Sequence, residues 1–378
     1  MRLEEIIMRL RPYKACDAET IVKWIKSEYS FRQWCADRFE TYPINAEMMN
    51  EYYDALKDND TYFEMTAFDD SGVVGHFIFR FIDEEKKIVR FGFIILDDAQ
   101  RGKGLGKEML MLACNYAFNI LKVEKITLGV FANNESAYHC YKAAGFRAVS
   151  AVRAFQYLET DWECIEMEKI RKVKTPLNLI IRKETEKDYY NTELMTQRAF
   201  WNKHHLGCDE HYLVHLLRTD TEYIPEISLI AEVDGKVVGA ILYSKARVED
   251  NGMIHEVLTF GPLCVDPDYW DMGIGGELLR TTMELAREKG HKAIIIYGEP
   301  DYYPRHGFVT CDHYGITTPD GKNFSAFMCI ELVAGGLYGI QGKFYEAEVF
   351  ERLAPEDVNA YNEKFPFMQK IKLPGQWN

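Results

Sequence analysis

The segment Gln100-Arg101-Gly102-Lys103-Gly104-Leu105-Gly106 has the composition of an anion cradle. Its three glycines let the backbone come close to a ligand, and converging amide N–H groups in such a loop bind phosphate oxygens. Arg101 and Lys103 add two full positive charges. The apolar run 93–96 precedes the loop, and Lys107-Glu108-Met109-Leu110-Met111-Leu112-Ala113, patterned as a helix, follows it. Strand, glycine loop and helix put the positive end of a helix dipole at the ligand, which suits a diphosphate. Alone, such a loop also occurs as an ordinary tight turn. A nicotinamide-dinucleotide reading fits poorly, because the loop lies far into its domain and lacks the expected βαβ start.

A second motif, Asn133-Asn134-Glu135-Ser136-Ala137-Tyr138-His139-Cys140-Tyr141-Lys142-Ala143-Ala144-Gly145-Phe146, follows a strand-like run about forty residues downstream. With the R/Q-x-x-G-x-G loop, the pattern N-x-x-A-x-x-x-Y-x-x-x-G-F resembles the GNAT superfamily of acyl-CoA-dependent N-acetyltransferases. The resemblance implies acetyl-CoA as cosubstrate and no metal. It implies that a backbone N–H of Ile95 or Leu96, on a strand that splays open, binds the thioester oxygen. Residues 101–106 would hold the pyrophosphate, Asn134 would contact the pantetheine arm, and Tyr141 would protonate the coenzyme A sulfur. The plainer alternative for Tyr141 is a helix residue packing near the glycine turn. An alkylammonium has a pKa of about 10.4, so a base or water chain must take its proton before attack. Glu64 and His76, flanking the turn at Asp70-Ser71-Gly72, are the candidates, and each is equally readable as a structural strand residue. The aromatic stretch Tyr29-Ser30-Phe31-Arg32-Gln33-Trp34-Cys35 is an expected acceptor wall or ordinary helix packing.

The elements that position these groups occur twice. Arg11 precedes Asp17 by six residues, and Arg182 precedes Asp188 by the same interval. Asp70-Ser71-Gly72-Val73-Val74-Gly75 matches Asp234-Gly235-Lys236-Val237-Val238-Gly239, each a hairpin signal. Ile94-Ile95-Leu96-Asp97-Asp98 matches Leu263-Cys264-Val265-Asp266-Pro267, and the Y-x-x-x-G-F ending recurs at Tyr303 to Phe308. Arg11 and Gly104 are 93 residues apart, Arg182 and Gly273 are 91 apart. Ordered matches at such constant spacing indicate one fold in tandem: α+β, each copy a mixed, twisted sheet flanked by helices. The expected domains are 1–172 and 179–378 with a linker at 173–178, the boundary falling at the basic stretch 169–176, which ends in Pro176. Residues 335–378 form an extension without counterpart in the first copy.

The second copy is similar to bacterial acetyltransferases of unassigned substrate, but its loop reads Trp270-Asp271-Met272-Gly273-Ile274-Gly275. Two positive charges and one glycine are lost and a carboxylate is gained. Proline replaces helix-forming residues before Tyr303, and no asparagine corresponds to Asn134. By resemblance, Val265, Gly273, Ile274 and Gly275 would bind the cofactor and Tyr303 would be the acid. Two readings stand: a second catalytic site of altered affinity, or a scaffold that shapes the acceptor pocket or a homodimer.

Across 378 residues, 47% hydrophobic and 28% charged, the composition is that of a compact two-domain protein. The net charge of −14 disfavours nucleic acid and anionic membrane. Nine scattered cysteines without a CxxC pair suggest reduced thiols, and the charged start Met1-Arg2-Leu3-Glu4-Glu5 does not read as a signal peptide, so the expected location is cytoplasmic. His204, His205, His211 and His215 are better read as helix or pocket histidines than as a metal set. The expected activity is acetyl transfer to a primary amine of a small molecule or peptide. The alternatives are an acyl-CoA-binding regulatory protein, or an aminoacyl transferase using charged tRNA on a doubled fold, which the negative charge opposes.

Overall fold

The computed structural model describes residues 8–171 and 177–376. They form two compact units, one on each side of the boundary between residues 174 and 175. Residues 172–176, most of the expected linker, lie outside the described residues. Among the described residues no helix is long and apolar enough to cross a membrane.

In the first unit the strands are β1 (Arg9–Pro12), β2 (Tyr62–Asp69), β3 (Gly72–Phe81), β4 (Ile88–Leu96), β5 (Lys125–Phe131), β6 (Arg147–Tyr157) and β7 (Thr160–Ile170). The helices are α1 (Ala18–Ile21), α2 (Glu28–Cys35), α3 (Ala46–Asp54), α4 (Leu105–Asn119) and α5 (Glu135–Ala143). The sheet order is β1-β2-β3-β4-β5-β7-β6, antiparallel except for β4 beside β5. The second unit has β8 (Leu179–Arg182), β9 (Leu229–Val233), β10 (Lys236–Asp250), β11 (Met253–Val265), β12 (Ala293–Tyr297), β13 (Val309–Thr310), β14 (Ile316–Thr317), β15 (Phe327–Glu331) and β16 (Gly342–Tyr345). Its helices are α6 (Tyr189–Phe200), α7 (Glu210–Leu217), α8 (Ile274–Glu288) and α9 (Pro355–Asn362). There β11 and β12 are the parallel central pair, and the long β10 pairs β9 near its start and β16 near its end.

The sequence repeat has physical content at each match. Arg11 binds both oxygens of Asp17, at 2.6 and 2.8 Å, and Arg182 binds both oxygens of Asp188, at 2.7 and 2.9 Å. Each bidentate pair ties a unit's first strand to the helical segment after it. Asp234 and Gly235 both have positive φ, as the two-residue hairpin between Val233 and Lys236 requires. Gly75 and Gly239 admit the helix after the loop. A Cβ on Gly75 would lie 2.4 Å from Met109 Sδ, and one on Gly239 would lie 3.0 Å from Leu278 Cδ1. The apolar stripes Met109, Leu110, Ala113, Cys114, Ala117 and Leu278, Leu279, Thr282, Ala286 therefore bury against their sheets at helical spacing.

The C-terminal extension docks onto α6 and the segment after it. Tyr361 donates to Glu193 at 2.7 Å, Trp201 Nε1 and Asn202 Nδ2 both donate to the Gln369 carbonyl at 2.8 Å, and the Ile371 amide donates to Asn202. The extension's helix α9 starts at Pro355, whose ring suits a first helical turn.

Candidate active site

In the first unit β4 and β5 pair only at Ile88, Val89 and Arg90, opposite Lys125, Ile126 and Thr127. Beyond that point the strands part. A bulge in β4 accompanies the parting: the register with β3 slips between Ile78–Gly92 and His76–Ile95, and Phe93 takes φ +49°. The Asp97 amide bonds back to the Val74 carbonyl at 2.9 Å. Because backbone groups alternate sides along a strand, Ile95 also faces β3, while the Leu96 N–H turns to the parted side. Of the two amides expected to meet a thioester oxygen, the strand geometry favours Leu96.

A cavity of about 560 Å³ fills the parting. Arg101, Gly102, Gly104, Gly106, Asn134 and Tyr141 line it, as do Ile95 and Leu96. Lys103 and Leu105 do not: the Lys103 ammonium bonds Gln100 Oε1 at 3.0 Å, and Leu105 is the first residue of α4. Lys107, one turn into α4, lines the cavity instead, at a spacing that the helical pattern already contained. Gly102 and Gly104 have φ +77° and +83°, with nothing within 4 Å of where a Cβ would stand. The loop is thus an open cradle ahead of a 15-residue helix, which fits a diphosphate.

Asn134 is first a helix cap: its side-chain oxygen accepts from the Ala137 amide at 3.3 Å, leaving its NH₂ for a ligand. Tyr141 is 7% exposed, and burial raises its phenol well above the ordinary value, so it is protonated throughout the physiological range. From α2, Ser30, Gln33 and Trp34 reach the cavity, whereas Phe31 is buried in the core and Tyr29 packs on Trp162. Neither base candidate lines it. His76 is fully buried, its Nε2 lies 2.6 Å from the Tyr53 hydroxyl, and burial lowers its pKa to about 3. Glu64 is half-buried on β2 with its pKa raised by desolvation. No carboxylate is among the residues lining the cavity.

The second unit repeats this backbone. The β10–β11 register slips between Ile241–Leu263 and Tyr243–Phe260, β11 touches β12 only at Leu258 opposite Ile294, and the Asp266 amide bonds to Val238 at 2.8 Å. By the same alternation Val265 faces the parting. Val265, Gly273, Ile274, Gly275 and Tyr303 line a cavity of about 530 Å³. Trp270 Nε1 donates to the Val265 carbonyl at 2.7 Å. Lys203, Glu299 and Arg305, none of them anticipated from sequence, also line it, and Lys203 pairs with Glu299 at 3.2 Å. Tyr303 is buried against Phe260 and Phe308 with its phenol raised, and a 3₁₀ turn, Tyr303–His306, replaces the first unit's helix.

Of the histidines on α7, His211 turns to Cys208 and His215 to Glu193. His205, Asp209 and Glu210 bring ligand-type atoms within 4.8 Å of one another. Burial and the Asp209 charge push Glu210 up to about 8, and a protonated carboxyl is a poor metal ligand.

A family model described as the acetyltransferase (GNAT) family matches residues 21–146 and 187–310. The uncharacterized N-acetyltransferase YjhQ of Escherichia coli K12 is 40% identical over 102 residues, 26% of this chain and 55% of that protein, so the chain spans about half of its length. The uncharacterized N-acetyltransferase YhbS of the same strain is 27% identical over 175 residues, 46% of this chain and 99% of that one. A crystal structure of E. coli YhbS in complex with CoA covers 49% of this chain and 98% of its own, at 26% identity and TM-score 0.43. A spermidine N-acetyltransferase of Vibrio cholerae in complex with CoA and spermine covers 43% and 95%, at 21% identity and TM-score 0.38. With the family model spanning most of both repeats, and a parted strand pair and glycine loop in each, the chain belongs to the GNAT family of acetyltransferases and is an acyltransferase with two such units in tandem.

Proposed function

We propose that the first unit transfers acetyl from acetyl-CoA to a primary amine by direct attack on the thioester. The observation that carries this reading is the convergence on one cavity of an open glycine loop with Arg101 and Lys107, an unpaired strand edge at Leu96, and the buried phenol of Tyr141. Loop amides and cations hold the diphosphate, and the Leu96 N–H stabilises the oxyanion that forms when the amine nitrogen attacks the carbonyl carbon. The C–S bond then breaks, and Tyr141 gives its proton to the departing thiolate. No carboxylate lines the cavity, so the attacking amine loses its proton to the one imidazole among the lining residues, His139, or to a water chain.

The second unit's cavity supports acyl-CoA binding of weaker affinity, since its loop lacks both cations and carries Asp271. The test is release of CoA thiol from acetyl-CoA by the full chain across an amine panel. Tyr141→Phe should lower kcat by about 100-fold with little change in acetyl-CoA affinity. Normal turnover in that variant overturns the assignment of the acid.

A further inference from the structure

Where the strands part, the first unit's cavity meets a second one of about 190 Å³; Gln33, Trp34, Phe93 and Gly129 line both. The glycine loop lies only on the first, so the second is where an acceptor would approach. Its wall carries three guanidinium groups, Arg38, Arg80 and Arg90, and no carboxylate. Arg80 and Arg90 stand directly opposite each other on β3 and β4, an arrangement of like charges that costs stability unless something neutralises it. Glu166 does so for Arg90, accepting from both guanidinium nitrogens at 2.6 and 2.9 Å. Arg38 and Arg80 are exposed and have no carboxylate partner among the described residues. Trp34, Tyr52 and Phe93 supply an apolar wall beside them. In a protein of net charge −14, two unneutralised arginines at the mouth of a cavity without acids form a local site for an anion. A polycation would meet only like charge there.

We propose that the acceptor of the first unit is an amine that also bears an anionic group, carboxylate or phosphate, which Arg38 and Arg80 bind while the amine points past Phe93, where the two cavities meet. This rests on the acetyl-transfer reading above and names the substrate class of that same site. The experiment is calorimetric titration of the CoA-saturated full chain with three product-like probes: N-acetylphenylalanine, N-acetylphosphoethanolamine and N1-acetylspermidine. At least one anionic probe should bind about tenfold or more tightly than acetylspermidine, the scale of a hydrogen bond to a charged group. The first two probes separate carboxylate from phosphate as the anion. Arg38→Gln with Arg80→Gln should remove that preference, Arg80→Lys should keep part of it, and CoA affinity should stay unchanged in all three proteins. Tighter binding of acetylspermidine, no binding of either anionic probe, or an unaltered preference in the double variant overturns the proposal. Failure of the unsubstituted chain to bind CoA would instead overturn the acetyl-transfer reading on which it rests.

Discussion

Gly102 and Asp271 stand at the same turn of the same loop, at φ +77° and +59°, and Gly104 and Gly273 both open their helices at φ +83°. The two units therefore keep one backbone while the side chains on it differ in sign. Aspartate is among the few L-residues that tolerate this region, which is how the second loop changes charge without changing shape. The strand carbonyls differ too: Val265 is already bonded to Trp270, whereas the first unit has Arg101 at the matching loop position. Shape is set by a few backbone positions, and binding strength by the groups mounted on them, so a conserved scaffold does not carry an equal affinity with it.

The largest expected effect comes from removing the shared feature. Gly104→Val places a β-branched side chain at positive φ in the open cradle and should weaken acetyl-CoA binding in the first unit by about 100-fold or more. Gly273→Val, at the same φ, should leave that tight site intact, and calorimetry on the full chain distinguishes the two. Loss of the tight site from Gly273→Val would reverse the ranking of the units.

Next comes pH. With no carboxylate on the cavity wall, and Tyr141 held protonated by burial, kcat/KM should rise about tenfold per pH unit until the acceptor's own amine pKa is reached. A plateau well below that pKa would point to a general base instead, with His139 on the cavity wall the first to substitute. Smaller again is Asp271→Gly. A carboxylate about 6 Å from one phosphate charge, at effective dielectric 20 to 80, costs roughly 0.7 to 3 kcal/mol. Its removal should tighten the second site about threefold or more, with a weaker gain at high salt. No gain would show that loop charge does not rank the sites.

The smallest effect on activity should come from His76, which changes stability instead. Unfolded histidine takes a proton near pH 6.5, while the sealed His76 does so only at about 3, so the unfolded state binds more protons in between. Stability of the first unit should fall by up to about 1.4 kcal/mol per pH unit as pH drops through that window. His76→Gln should flatten this slope in urea titrations, and an unchanged slope would assign the acid sensitivity to other groups. The second unit has its own sealed histidine, His211, lowered by burial to about 4, but Ala240 at the position that matches His76.

The tandem fold, its Arg–Asp ties, the hairpin turns, the two glycine loops and part of the cavity wall were legible in the residues themselves. Turn chemistry, helical spacing and the need for glycine at positive φ act within a few residues, so they leave marks a single sequence displays. The tertiary structure alone decided the rest. The bulge at Phe93 opens the cleft, and although Gly92 beside it is a bulge signal, a strand glycine alone does not say that the neighbouring strand will part there. His76 lies on a strand flanking that cleft but is closed off by Tyr13 and Tyr53 from distant segments, so strand alternation could not exclude it as a base. Lys103, charged and inside the motif, turns to Gln100, whereas Arg38 and Arg80, in no motif, share a cavity wall although 42 residues separate them in the chain. Local conformation is written in local chemistry, while a side chain's neighbours depend on how separate strands and helices pack, and that is settled only when the whole sheet is assembled.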